Sequence, residues 1–172
     1  MKGYLAAAAV LMAATAATAQ NAALKVAVID VQQVVEESAA GKEAMARLKK
    51  LNDEKTAQGK KMVDELDGLQ RQLQTQQATL TDAKVAELRK QIEDKQVAIK
   101  RFDDDAQREV AEARRKELQQ LENQILPIIN AIGKEMKLEL IFNKYQSGLV
   151  YADEAVDITD QVLRRFNTQV SQ

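Results

Sequence analysis

Residues 62–100 read MVDELDGLQRQLQTQQATLTDAKVAELRKQIEDKQVAIK, and whether they form one helix or two decides the fold. From Met62 the apolar residues fall at Leu66, Leu69, Leu73 and, after a polar step at Gln76, Leu80, the alternating four-three spacing of a coiled-coil seam. Val85, Leu88, Ile92, Ile99, Phe102 and Ala106 continue that spacing. Leu118, Leu121, Ile125, Ile128 and Ile132 resume it after a phase slip with the character of a stutter. Residues 74–82 are the one part rich in side chains that compete with the helical backbone, and Thr79 or Thr81 is placed to cap a new helix with Asp82 in its first turn. A hairpin tip at 74–82 is one reading. The other is a single helix over residues 42–136, about 140 Å long at 1.5 Å per residue.

Outward from this stretch the seam weakens. Met45, Leu48 and Leu51 begin it, but the positions that should carry it on, near Asn52, Lys55 and Gly59, are polar or helix-weakening, so loose packing is expected there. Pairs such as Lys50 with Glu54, Lys60 with Asp64 and Lys61 with Glu65 read as a solvated face. In the second arm, Asp103, Asp104, Asp105 and the mixed run at 108–117 form a charged band. Consecutive helical side chains diverge by about 100°, so the three aspartates do not make a metal site. Pro127 should kink or restart the helix, since it lacks the donor for a helical hydrogen bond.

The ends differ in kind. Lys25-Val26-Ala27-Val28-Ile29 is a strand candidate, followed by Asp30 as an N-cap with Gln33 as its reciprocal partner and by Val31, Val34 and Val35 as the apolar face of a short helix. Gly41 marks the junction before the long element. Beyond Met136, residues 138–142 (LELIF) read as a strand, 143–148 as a turn and 149–151 (LVY) as a second strand. Asp157 opens a closing helix with Ile158, Val162, Leu163 and Phe166 on one face. The first strand meets the later ones only if the helical element returns, and this closure favours the hairpin.

The expected class is therefore α+β, mostly α: a long antiparallel helical hairpin (42–136) on a small β-strand body built from residues 20–41 and 137–172. Three short strands and a small helix make too little core to stand alone, so association is expected. Val26, Val28, Leu140, Phe142 and Val150 are the candidate residues of the oligomer body.

Composition bounds the function. With 3% aromatic and 30% charged residues, elongated helix is a better fit than one compact globule. Residues 1–19 read as a signal peptide, with Lys2 as its positive start, 5–14 as its apolar core and Ala17-Thr18-Ala19 before the cleavage point. The apolar run is short of the roughly 20 residues that span a bilayer, which argues against an integral membrane segment. Loss of Lys2 takes the net charge from −1 to −2, leaving no general attraction to nucleic acid. The chain has no histidine and no cysteine, which removes the usual transition-metal ligands, the thiol nucleophile and the commonest general base. No glycine-rich phosphate loop is present. No catalysis, cofactor or metal is expected.

Taken together, the opening Lys25-Val26-Ala27-Val28-Ile29-Asp30, the Gly41-Lys42 step, the strand at 138–142 and the closing Asp157-Ile158-Thr159-Asp160-Gln161-Val162-Leu163 resemble the Skp/OmpH family of periplasmic chaperones, over nearly the whole mature sequence. The resemblance implies a homotrimer whose strands form a common β-body, with three helical hairpins around a central cavity. It also implies that unfolded outer-membrane β-barrel proteins are held there and released without ATP. One departure stands out. Well-known members are strongly basic with lysine-rich tips, whereas here the pI is about 5.7 and residues 74–82 carry no positive charge, which puts lipid or lipopolysaccharide contact in doubt. Client capture would then rest on apolar contact and on local basic patches at Arg89-Lys90, Lys100-Arg101 and Arg114-Arg115-Lys116. The alternative is a coiled-coil structural or adaptor protein of the cell envelope.

Overall fold

The computed structural model describes residues 24–170; the signal peptide read at 1–19 lies outside them. In chain order come strand β1 (Val26–Ile29), helix α1 (Val31–Glu37), helix α2 (Ala39–Gln76), helix α3 (Asp82–Met136), strand β2 (Leu140–Asn143), a 3₁₀ turn (Glu154–Val156) and helix α4 (Thr159–Val170). The chain is mostly helical, with few strands.

Local chemistry sets the element boundaries. The Asp30 carboxylate accepts from the Gln33 backbone N–H at 2.9 Å and starts α1. The reciprocal contact is not made: Gln33 Nε2 donates instead to Glu37 at 3.1 Å, while the Asp30 N–H donates to Thr159 Oγ1, a partner distant in sequence. The junction into the long element is Ser38, which caps α2 by accepting from Gly41 N–H at 3.0 Å. Gly41 lies within the first turn of that helix, three residues past the cap and not at the junction expected there, and a side chain there would coincide with the Val35 carbonyl oxygen. α2 stops at Gln76, and Thr81 caps α3 with Asp82 in its first turn.

Pro127 does not restart the helix, since α3 runs unbroken past it. The buried Ile125, Ile128 and Ile132 around it are held in the core, and that packing outweighs the lost hydrogen bond and ring clash of an interior proline, about 3 kcal/mol. α3 ends at Lys137 in the left-handed region (φ 56°), where the Leu138 N–H donates back to Gly133 O at 2.8 Å. That reversal turns the chain into β2.

β1 and β2 pair in parallel, with Val26 opposite Leu140, Ala27 opposite Ile141, Val28 opposite Phe142 and Ile29 opposite Asn143. A parallel pair needs a long crossover, here α1, α2 and α3 together. Along the crossover, later residues of α2 meet earlier residues of α3: Arg47 bonds Glu117, Lys55 bonds Glu109, and Glu65 bonds Lys95. Lys61 does not pair with Glu65 among the described residues, because Lys95 reaches across to Glu65 instead, and Lys60 and Asp64 form no ion pair there either.

The expected strand at 149–151 is not formed. Among the described residues they have no ladder partner, since β1 takes β2 on one side and only a bridge from Val28 to Asp157 elsewhere. One core holds the body. Ala27, Ile29, Val34, Val35 and Ala44 meet Leu121, Ile125, Ile128 and Ile132 of α3, and Ile158, Val162 and Phe166 close it.

Candidate functional site

Two surfaces stand apart from this core, one on the sheet and one on the arms. Alternate residues of a strand share a face. Ala27, Ile29 and Ile141 pack on the helical core, so Val26 and Val28, with their register partners Leu140 and Phe142, lie on the opposite face of the two-stranded sheet. Four of the five body candidates are thus brought together. Their burial differs: Val28 is already 2% exposed within the single chain, whereas Leu140 is 45% exposed. Val150 is separate, fully exposed in an unpaired segment beside Tyr151, and Tyr145 also points to solvent. Among the described residues no strand lies beside the far edge of β2.

A polar relay fixes the segment that crosses back to this sheet. Thr159 donates both its N–H and its hydroxyl to the Asp157 carboxylate, and its oxygen accepts from Asp30 N–H at 2.9 Å. Lys144, just past β2, closes an ion pair with Asp157. Burial alone would push the Asp157 carboxyl up; the hydrogen bonds from Lys144 and Thr159 outweigh it and hold the group below the usual carboxylate range. The bond to Asp157 correspondingly raises Lys144. One network therefore links β1, β2 and α4.

On the arms the seam is thin. Between Met45 and Leu118, Leu88 is the one buried large apolar side chain among the described residues. Where loose packing was expected, the helices part around a groove of about 910 Å³. Gly59 leaves its floor open over the Phe102 ring, which would stand 3.4 Å from a Cβ at that position. Val63, Ile99, Ala106 and Val110 add apolar surface, and Lys55, Lys60, Lys100 and Arg114 stand around it with Asp103. Two of the basic patches noted in the sequence, at 100–101 and 114–116, thus reach one groove, while Arg89 and Lys90 lie apart with Asp82 and Glu93.

Sequence reading missed the Gly59–Phe102 juxtaposition, although a glycine at a seam position with an aromatic on the returning arm was its available signal. It also missed the cross-arm ion pairs. The Arg47 hydrogen bonds hold Glu117 below the usual carboxylate range, and Lys95 does the same for Glu65. Among the described residues no helix is long and apolar enough to cross a membrane. No three of His, Cys, Asp and Glu in them gather to hold a metal ion.

Comparison with known proteins places this architecture. A solved structure, described as an OmpH-like outer membrane chaperone from Caulobacter crescentus CB15, superposes with a TM-score of 0.79 at 21% identity over 85% of each chain. At that identity the likeness is one of fold. Curated protein sequences give no match. The sequence itself matches the family described as outer membrane protein (OmpH-like) over residues 25–166, from the first strand to the last buried turn of α4. The chain belongs to the OmpH-like family, which is the Skp/OmpH family.

Proposed function

We propose that this protein is an ATP-independent periplasmic holdase chaperone, which takes up unfolded outer-membrane β-barrel proteins between helical arms and prevents their aggregation in transit. The observation that carries the reading is the thin seam. Two long helices, α2 and α3, leave most of their apolar residues half-exposed between Met45 and Leu118. A regular docking rod would fill that seam. A half-filled one offers many weak contacts, which suit an unfolded chain that must be released without nucleotide hydrolysis.

In this reading α2 and α3 form an antiparallel hairpin arm, and three copies join through the sheet. Residues 20–41 and 137–172 supply the body and 42–136 the arm, while residues 1–19 are a cleaved leader that delivers the chain to the periplasm. The open β2 edge, exposed Leu140 and the unpaired 149–151 segment support association, because an unpaired strand edge is a template for another chain. Membership of the OmpH-like family and the fold shared with a protein described as an outer membrane chaperone support the same function.

The test is refolding of a denatured outer-membrane β-barrel protein by dilution, followed by light scattering with and without the mature protein and in the absence of ATP. Suppressed scattering, with a soluble complex of one client and several subunits, is expected. No suppression by a folded, associated protein would turn the assignment to an envelope adaptor.

A further inference from the structure

We infer that the groove between α2 and α3 is a discrete subsite for an extended, acidic and aromatic segment of a client chain; this rests on the holdase reading and names where one arm makes its contact. The floor is apolar, with Val63, Ile99 and Phe102, and Gly59 removes the side chain that would otherwise cover the Phe102 ring. The groove is open on one side, and its volume, about 910 Å³, falls within the range of clefts that take up drug-sized ligands. Its rim is basic in a protein whose net charge is negative. Lys55 is occupied by Glu109 at 2.6 Å, while Lys60, Lys100 and Arg114 have no ion pair among the described residues. Asp103 is the one acidic group lining the groove.

The spacing of these cations selects the occupant. Lys100 and Arg114 are fourteen residues apart on one helix, about 21 Å at 1.5 Å per residue, with Lys60 on the facing helix. A fatty acid carries one negative head and meets one end of such a row. An extended peptide rises about 3.3 Å per residue and sends alternate side chains to opposite sides, so aromatic groups enter the floor while carboxylates reach cations along the whole rim. Transmembrane β-strands are built on such an alternation of apolar and polar residues.

The probe is a fluorescein-labelled octapeptide alternating phenylalanine and aspartate, titrated by anisotropy into the full mature protein. Gly59→Leu fills the floor. Gly68→Leu is its control, because nothing lies within 4 Å of a Cβ at Gly68 and both substitutions favour helix alike. Binding by the wild type is expected, weakened at least tenfold in Gly59→Leu and about tenfold in Lys60→Glu/Lys100→Glu or with asparagine in the peptide, and unchanged in Gly68→Leu. Peptide binding that is absent, or equal in Gly59→Leu and wild type, overturns the subsite. So does sodium dodecanoate binding that Gly59→Leu abolishes while peptide binding persists. Light scattering of a diluted β-barrel client is run on the same samples. Suppression that survives without peptide binding removes the subsite and keeps the holdase, whereas peptide binding at the groove without suppression keeps the subsite and removes the holdase.

Discussion

Two glycines of one helix show how position decides what a missing side chain does. At Gly41 the Val35 carbonyl of α1 occupies the place of a Cβ, whereas at Gly68 that place is open. Gly41→Ala must push α1 away from α2, an overpacking that costs about 1–3 kcal/mol or more. Gly68→Ala should stabilise the helix by about 1 kcal/mol. Urea midpoints at one fixed protein concentration should therefore move in opposite directions, and equal shifts would refute the close approach at Gly41. Asp157 gives a second prediction. Its folded carboxyl lies below the ordinary aspartate range, so its contribution is fully present above about pH 5 and is lost as pH falls through about 4 and below. Lys144 is raised and loses its share only as pH rises through and above the ordinary lysine range. Asp157→Asn should cost about 1–3 kcal/mol at pH 7, with the gap to wild type narrowing at pH 3. A gap that stays constant with pH would show that the Lys144 pair contributes nothing.

The elements divide into a packed body and thinly packed arms, and this division sets the expected dynamics. Leu121, Ile125, Ile128 and Ile132 lie at the body end of α3, while Leu88 is the one buried large apolar side chain between Met45 and Leu118 among the described residues. Amides at 128–133 should then exchange at least about 100-fold more slowly than those at 52–63 and 96–107, a difference of roughly 3 kcal/mol in local opening. Equal protection by hydrogen exchange would remove the basis for flexible arms. Much of this was legible in the sequence. Helical periodicity placed the seam and the apolar face of α4, and the polar break at Asn52, Lys55 and Gly59 marked the groove, because these signals are local. What could not be read depends on which residues meet across the chain. Asp30 binds Thr159 instead of Gln33 side-chain atoms, Lys95 takes Glu65 from Lys61, and packing of Ile125 and Ile128 carries α3 through Pro127. Residues 149–151 have strand-forming side chains, but a strand also needs a free edge at its own position, which sequence does not reveal.

For the whole molecule, the proposed association rests on the sheet. A two-stranded sheet is marginal in water by itself, and here one of its faces already serves the helical core through Ala27, Ile29 and Ile141. The opposite face and the β2 edge remain, with Leu140 half-exposed and Tyr145, just past β2, exposed. Leaving such groups in water forgoes roughly 1.5–3 kcal/mol for each large apolar side chain that a partner would bury. Val28 has little left to offer, being buried within its own chain. Leu140→Asp is the sharper probe: it puts a charge at the exposed position and leaves the internal core untouched. Sedimentation velocity should show the wild type as an oligomer, a trimer in the proposed assembly, and Leu140→Asp as a helical monomer with unchanged far-ultraviolet circular dichroism. Val150→Asp tests whether the 149–151 segment joins the same contact, and should also weaken association if that segment pairs with another copy. A Leu140→Asp protein that stays fully associated would place the interface elsewhere. A dissociated one that no longer suppresses client aggregation would show that several arms must act together, because one arm offers only its half-exposed seam.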